Sequence, residues 1–406
     1  MHNTDFFKFI EDNKGEDPDK LRLIFSKKKL GFDIDLAINQ IACKKKFYSK
    51  LNKFIENPHF LFPDILSGEQ ASHQAVASFN ESLFPEKSRI LDMTAGLGSD
   101  ALSFALAGNY VTAIEKNKTK AEMLMANAKA FNLPDFKVIN EDSVMYFDTH
   151  NSFFDVIFID PARRDDKERR VYNLHDCSPD VIELQSLLSA HSSQVFIKAS
   201  PLLDITQTIK DFPLCSAIYI VGVKGECKEV LIELSNIKLA DVIKISAVNL
   251  DTNGEIISDF NIKENPNIKS KFGEPMPDSY YLNSEEDFID DSFILEPSAM
   301  VMKMSPWKDI CERFNAKKFD KSSHLFITNL PPSDFPGRVT KFKSIINKKD
   351  RKNLVGFPAS VISRNHPLSS EDIRKKFKLS EGDNNFIYAS RINGKPLMLI
   401  SESQPR

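Results

Sequence analysis

Residues 89–103, RILDMTAGLGSDALS, constrain this chain more than any other stretch. The apolar pair Ile90-Leu91 reads as a buried strand ending at Asp92, and a helix starts near Ser99 or Asp100. Between them Ala95, Gly96 and Gly98 carry little or no side chain. The backbone can therefore turn sharply and come close to a ligand, and the helix start offers unpaired N–H groups. A second apolar run, residues 110–114, ends at Glu115, 23 residues after Asp92. A nucleotide-binding βαβ unit puts its ribose-binding carboxylate at about that distance. These residues describe a nucleoside-cofactor site.

Around that unit, strands read at 89–92, 110–114, 136–139, 155–160, 194–198, 216–222 and 228–235, with helices near 99–108, 118–131, 179–190 and 204–211. Such alternation predicts a mostly parallel sheet covered on both faces. The last two strands are joined only by VKGEC, too short for a parallel crossover, so they form an antiparallel hairpin. Residues 1–85 show apolar residues at three- and four-residue spacing and read as helices, interrupted at NPHFLFPDILSG, whose aromatics and His59 read as packing groups. Beyond residue 250 the chain turns acidic and rich in Pro, Gly and Asn, so a boundary with exposed loops is expected there. Ser369-Ser370-Glu371-Asp372 starts a basic helix, and FIYAS-RINGK-PLMLI is a hairpin on an Asn-Gly turn.

With 406 residues, two or three domains are expected. No apolar run approaches the ~18 residues of a membrane span. The acidic start, MHNTDFFKFIEDNK, is unlike a signal peptide. Cys43, Cys177, Cys215, Cys227 and Cys311 are odd in number and scattered, which disfavours a disulfide scaffold or zinc ribbon and points to the cytoplasm. No two histidines stand at metal-ligand spacing, and no metal site is expected. The net charge of −3 hides a segregation: about +8 over residues 20–53, about −9 over 251–296 and about +9 over 338–378. Such runs serve either as solvated helix faces or, flanking a cofactor domain, as contacts to a polyanion such as RNA.

Gly96-Leu97-Gly98-Ser99-Asp100-Ala101 satisfies the NAD fingerprint G-x-G-x-x-A. Three features favour S-adenosylmethionine (SAM) instead. The acid and loop D-M-T-A-G-L-G suit an amino-acid moiety better than a pyrophosphate. Asp142, in NEDS, can accept from an adenine amine. The fourth strand ends in FIDPARR, an Asp-Pro at the carboxyl edge of the sheet, where ligands bind.

With these residues the chain resembles class I SAM-dependent methyltransferases, and more closely the bacterial group with a ferredoxin-like and a THUMP-like C-terminal domain. The resemblance spans nearly the whole chain. It is carried by LSGEQAS, ILDMTAGLGSD, AIEKN, NEDS, IDPARRDD, LHDCSPD, IKASPLLD, LEPSAMVMK, FPGR and NHPLSSEDIRKKFKL. It implies an α/β Rossmann-like sheet, parallel with a terminal antiparallel hairpin, between a helical N-terminal region and α+β C-terminal domains. The expected divisions are 1–85 helical, 86–250 methyltransferase, 251–325 acidic linker and ferredoxin-like, and 326–406 THUMP-like. The resemblance implies that Asp92, Gly96 and Gly98, with Ala95, shape the methionine end. Glu115, with Lys116, should hold the ribose, and Asp142, with Ser143, the adenine. The group tends to have Gly-Gly near Ala95-Gly96 and Ser-Ser-Glu near Ser72-His73-Gln74; this chain departs at both.

Methyl transfer from a sulfonium needs an in-line nucleophile, and positioning and electrostatics supply most of the rate. Amine methyltransferases offer acceptors and an aromatic platform in Asp/Asn-Pro-Pro-Tyr/Phe. Here Asp160 and Pro161 keep the acceptors, whereas Ala162 and Arg163 replace the second proline and the aromatic. Stacking then falls to Arg163. Uracil-C5 methyltransferases use a cysteine where this chain has Ala199, so covalent C5 chemistry lacks its nucleophile, and Cys177 reads as a packed residue. Arg163, Arg164, Arg169 and Arg170 form a basic loop, neutralised by Asp165, Asp166 and Glu168 or else contacting phosphate. Lys198 ends a strand at the same edge, placed to pair with Asp160 or to contact substrate. The resulting expectation is methylation of a base nitrogen, and the THUMP-like resemblance implies that the base lies in structured RNA, tRNA or rRNA. The alternatives are a small-molecule or protein methyltransferase and a SAM-binding RNA-binding protein without turnover.

Overall fold

A computed structural model describes residues 4–26, 28–163, 174–236, 242–264, 276–347 and 349–404. It divides into two compact units, Met1–Ile243 with Asn249–Ile257 and Lys244–Val248 with Ser258–Arg406.

The first unit opens with helices α1 (Thr4–Asp12), α2 (Pro18–Phe25) and α3 (Ile34–Ile55). Their periodic apolar residues, among them Phe6, Ile10, Leu21, Ile38 and Ile41, form one cluster with Leu61. Asp17 and Asp33 cap α2 and α3 by accepting from backbone N–H groups. The Phe60-Leu61-Phe62 segment is buried without a strand partner, and two side-chain amides satisfy its backbone instead. Gln40 donates to Phe62 O (2.9 Å) and accepts from Phe62 N (2.8 Å); Asn127 serves Leu61 in the same way. Phe60 and Phe62 are core residues, and His59 packs its ring 4.4 Å from Phe7. α4 (Ile65–Gln70) and α5 (Gln74–Ser82) follow. A Cβ at Gly68 would come within 2.3 Å of the Phe47 ring, so α4 lies this close to α3 only with glycine there.

From β1 (Arg89–Asp92) the chain alternates through α6 (Ser99–Leu106), β2 (Tyr110–Ile114), α7 (Lys118–Ala130), β3 (Phe136–Ile139), α8 (Tyr146–Thr149) and β4 (Phe154–Ile159). A short antiparallel ladder, β5 (Ala162–Arg163) with β6 (Cys177–Ser178), comes next. Then follow α9 (Val181–His191), β7 (Ser192–Ala199), α10 (Ile205–Asp211), β8 (Cys215–Val223) and β9 (Glu226–Ser235). The strand order in this unit is β3-β2-β1-β4-β7-β9-β8. The first five strands pair in parallel, while β9 runs antiparallel between β7 and β8. This is the α/β arrangement the sequence predicts, with the terminal hairpin as expected. The order reverses between β1 and β4, which opens a crevice at their carboxyl ends. Below it, Phe104 lies 5.0 Å from Phe84 and 5.1 Å from Phe158, and Phe84 lies 4.9 Å from Phe196, so aromatic contacts tie α6 to β4 and β7.

β10 (Ile243–Leu250) and β11 (Ile256–Glu264) carry the chain from one unit to the other. The second is a strand where composition predicts loops. Its alternation, with Phe260 and Ile262 buried, decides against the acidic, Asn-rich surroundings. The tight turn before it is built by Asp251, whose Oδ1 accepts from the N–H groups of Asn253, Gly254 and Glu255.

The second unit contains β12 (Phe293–Pro297), α11 (Ala299–Met304), α12 (Trp307–Arg313), β13 (Lys317–Lys318), β14 (Phe326–Thr328) and β15 (Gly337–Ile345). It continues with β16 (Ser360–Ser363), α13 (Ser370–Phe377), β17 (Asn385–Ile392) and β18 (Lys395–Ser403). All seven strands form one sheet in the order β13-β14-β12-β15-β18-β17-β16. Ser369 caps α13 in a reciprocal capping box with Asp372. Asn393 and Gly394 both take positive φ at the β17–β18 turn, as a tight hairpin requires. Much of the basic run is paired inside this unit: Arg338 and Arg364 with Glu296, Lys341 with Asp291, Lys343 with Glu402 and Lys375 with Glu371. Among the described residues no helix is long and apolar enough to cross a membrane.

Candidate active site

The turn after β1 is held by its own backbone and by two carboxylates. Gly98 N donates to Ala95 O at 2.7 Å, and Ala95 N to Ile114 O at 3.0 Å. Thr94 N donates to Asp92 Oδ1 at 3.0 Å. Glu115 accepts from Gly96 N at 3.0 Å with one oxygen and from Asn117 N at 2.7 Å with the other. Each of those oxygens keeps a lone pair for a hydroxyl group. Asn140 ties the next loop to this one by donating to Glu115 O (2.8 Å) and Lys116 O (3.0 Å). Asp142 Oδ1 accepts from Val144 N at 3.0 Å.

These loops line a first cleft of about 650 Å³ at the carboxyl edge of the sheet. Asp92, Ala95, Gly96, Glu115 and Lys116 all reach it, as do Asp142, Ser143, Asp160 and Pro161. Gly98 does not. It sits behind, at φ +89°, where a Cβ would fall 2.2 Å from Leu124 Cδ1, so its role is to shape the turn that starts α6.

Asp160 follows β4 directly, and its N–H donates to Thr94 Oγ1 at 2.7 Å. Lys198, near the end of β7, donates to Asp160 Oδ2 at 2.6 Å and to Ser72 Oγ at 2.7 Å. Asp100 and Glu229 stand farther from the ammonium, at 3.8 and 3.9 Å. Asp160 is therefore the direct partner, and the other two act through their field. Ser72 Oγ in turn donates to Asp100 Oδ2, and Asn80 Nδ2 donates to Glu229 Oε1 at 2.8 Å. Burial alone would lower the Lys198 pKa; the charges of Asp160, Asp100 and Glu229 outweigh it and raise it, so the ammonium stays protonated. Burial pushes Asp92 up to about 8 and Glu229 up to about 7, and raises Asp100 as well. Asp100 Oδ1 is buried and finds no partner among the described residues, which suits a ligand with N–H donors in the first cleft.

A second cleft of about 740 Å³ shares Gln70, Ala71, Ser72, Asp160 and Pro161 with the first. Lys198 and Cys177 line it. Its apolar walls include Pro161, Leu174, Leu203 and Val223, with no Phe, Tyr or Trp among the described lining residues. His73 lies on the same wall but also works structurally, its Nδ1 accepting from Ala75 N at the start of α5. Arg164, Arg169 and Arg170 lie outside the described residues with Asp165, Asp166 and Glu168, and so does the side chain of Arg163. Among the described residues no group of three His, Cys, Asp or Glu could hold a metal ion.

Sequence reasoning missed Ser72, Asn80, Asp100 and Glu229 as site residues. Ser72 and Asp100 fall inside quoted motifs, LSGEQAS and ILDMTAGLGSD, and that was their one signal. Nothing local marked Asn80 or Glu229.

Residues 76–177 match a family described as conserved hypothetical protein 95, residues 293–336 a ferredoxin-like domain and residues 338–403 a family described as THUMP domain-like. A ribosomal RNA small subunit methyltransferase J from Psychrobacter arcticus is 29% identical over 140 residues, covering 27% of this chain and 47% of the relative. Its namesake from Hydrogenovibrio crunogenus is 32% identical over 97 residues, covering 21% and 35%. The chain thus spans less than half of either relative. The crystal structure of a candidate methyltransferase from Porphyromonas gingivalis W83 superposes with a TM-score of 0.84 at 24% identity, covering 98% of each chain, so the whole fold is shared. The chain thus has a class I methyltransferase fold, and its later segments match a ferredoxin-like domain and a THUMP domain-like family.

Proposed function

We propose that this chain is a SAM-dependent methyltransferase acting in the cytoplasm on a base nitrogen of structured RNA, rRNA or tRNA. The observation that carries this reading is the position of Asp160 and Pro161 on the wall common to both clefts. The first cleft fits the donor: Glu115 and Asp142 offer carboxylates for ribose and adenine, and Asp92 with the unpartnered Asp100 Oδ1 offers acceptors for an ammonium. Bound there, SAM supplies an electrophilic methyl group.

The chain's own residues do the rest. Asp160 accepts from the amine of the base and orients its nitrogen lone pair, and Oδ1 is where the nitrogen's departing proton goes. Lys198 fixes Asp160 by donating to its Oδ2, which leaves Oδ1 to face the base. Ser72, bonded to Lys198 and Asp100, holds the two clefts in register. Residues 1–85 wall the site, 86–250 hold the donor, and 251–325 with 326–406 present the RNA.

RNA as substrate is supported by the names of the partial relatives and by the THUMP domain-like match. The C-terminal charge run adds less, because five of its cations are already paired within the unit. Incubation of the full chain with labelled SAM and total RNA from cells lacking this protein, followed by nucleoside analysis, is the test. Label in one methylated base nitrogen supports the reading; label in protein or small molecules alone overturns it.

A further inference from the structure

The second cleft is lined by charges of both signs. Asp160 and Glu229 face Lys198, while Lys50 of α3 and Lys224 and Lys228 of the β8–β9 hairpin contribute further cations. Lys224 is exposed, held at φ +50° by its turn, and has no ion pair among the described residues. Lys228 is half-buried and meets Glu226 at 2.8 Å; Glu69, also on the lining, pairs with Lys46. Lys50 donates to Gly68 O and Glu69 O.

These cations act on one another. Burial lowers Lys50 to about 8, and the charges on Lys198 and Lys228 press it in the same direction. Burial lowers His73 too, with Lys228, Lys50 and Lys224 adding to it. An anion among them would relieve that repulsion. A protein Lys or Arg acceptor would instead add positive charge to it. A molecule with N–H groups at the end that meets Asp160 and negative charge at the other suits the whole cleft, and 740 Å³ is ample for one nucleotide.

We propose that the second cleft receives a single nucleotide turned out of an RNA strand, its base against Asp160 and Pro161 and its phosphate on Lys224 and Lys228, an assignment that rests on the methyltransferase reading. The described walls beside Asp160 are aliphatic, and the phosphate contact adds to the positioning of the nucleotide.

The test uses the full chain. Equilibrium dialysis compares AMP, GMP, CMP and UMP with their nucleosides for the wild type and for the double variant Lys224→Asn, Lys228→Gln. Asparagine tolerates the positive φ at position 224, so the turn survives. Lys228→Arg, which keeps the charge, is the control and should bind like the wild type. At least one monophosphate should bind the wild type about tenfold more tightly than its nucleoside, as a charge-assisted contact would give. The double variant should lose that preference, and its salt slope for RNA binding should fall by about 0.7 for each phosphate contact removed. Equal binding of nucleoside and monophosphate by the wild type, or a preference that survives in the double variant, overturns the assignment. RNA methylation without any monophosphate preference overturns this site alone. A clear preference with no methyl transfer to RNA would overturn the enzymatic reading and keep the nucleotide site.

Discussion

Lys198 and Asp160 meet at 2.6 Å, yet the lysine side chain is 12% exposed and the aspartate 39%. The cation is the buried half of the pair and the carboxylate is the half that meets the clefts. Such an arrangement anchors an acceptor from behind. Among the described residues Asp160 Oδ1 has no protein hydrogen bond, so it is available to a substrate.

Lys198→Met should cost more stability than an ordinary surface ion pair. It strips the cation from Asp100 and Glu229, both buried, and removal of one partner from a buried charged network costs about 3–5 kcal/mol. Urea unfolding should show that loss. A cost under about 1 kcal/mol, the surface-pair range, would mean the three carboxylates do not depend on Lys198.

Asp160→Asn keeps an acceptor oxygen and loses the ion pair. Single-turnover methyl transfer to RNA should slow by about 10²-fold, the usual cost of one preorganised polar group, while calorimetry shows donor binding retained. Loss of donor binding instead would move Asp160 from the acceptor to the cofactor.

Asp92 gives the fold a pH dependence of known sign. Its folded-state pKa is raised to about 8 from 3.8, so between those values the folded chain holds a proton that the unfolded chain has released. Stability from this group is full at low pH and falls as pH rises through 8. Asp92→Asn removes the effect. Between pH 5 and 8 the wild type should lose about 1.4 kcal/mol per pH unit relative to the variant. Parallel stability curves would show Asp92 to be ordinarily ionised.

Gly98→Ala brings two separate penalties, a Cβ 2.2 Å from Leu124 Cδ1 and a φ of +89°. Adding Leu124→Ala to it removes the first alone. The single variant should lose stability and donor affinity. The double variant should recover only part, because the strained backbone still costs about 1–3 kcal/mol. Full recovery would make the side-chain clash the whole reason for glycine.

The parts of the site that were legible in the sequence lie within one βαβ unit. Asp92, Gly96, Gly98 and Glu115 are linked by local turn geometry and a fixed strand–helix–strand length, so spacing alone predicts their meeting. Lys198 could be placed at the right edge because β7 ends there, but its choice of Asp160 over Asp100 and Glu229 is a matter of ångströms. Glu229 and Asn80 are brought together by β9 slotting between β7 and β8 and by α5 packing on the sheet, and periodicity says nothing about such long-range register. β11 was obscured by composition, since an exposed strand with Ile256 and Ile257 outside and acids around it reads as loop.

The shared sheet of the second unit carries a consequence for how that unit comes apart. β12, in the segment that matches a ferredoxin-like domain, pairs along its whole length with β15, in the segment that matches the THUMP domain-like family, from Phe293 opposite Lys341 to Pro297 opposite Gly337. The border between the two families is thus a row of ladder hydrogen bonds. Amide hydrogen exchange should find β12 and β15 opening together as one cooperative block. A fragment ending at residue 336 would bare the β12 edge and aggregate, so inheritance treats these segments as two modules while folding treats them as one.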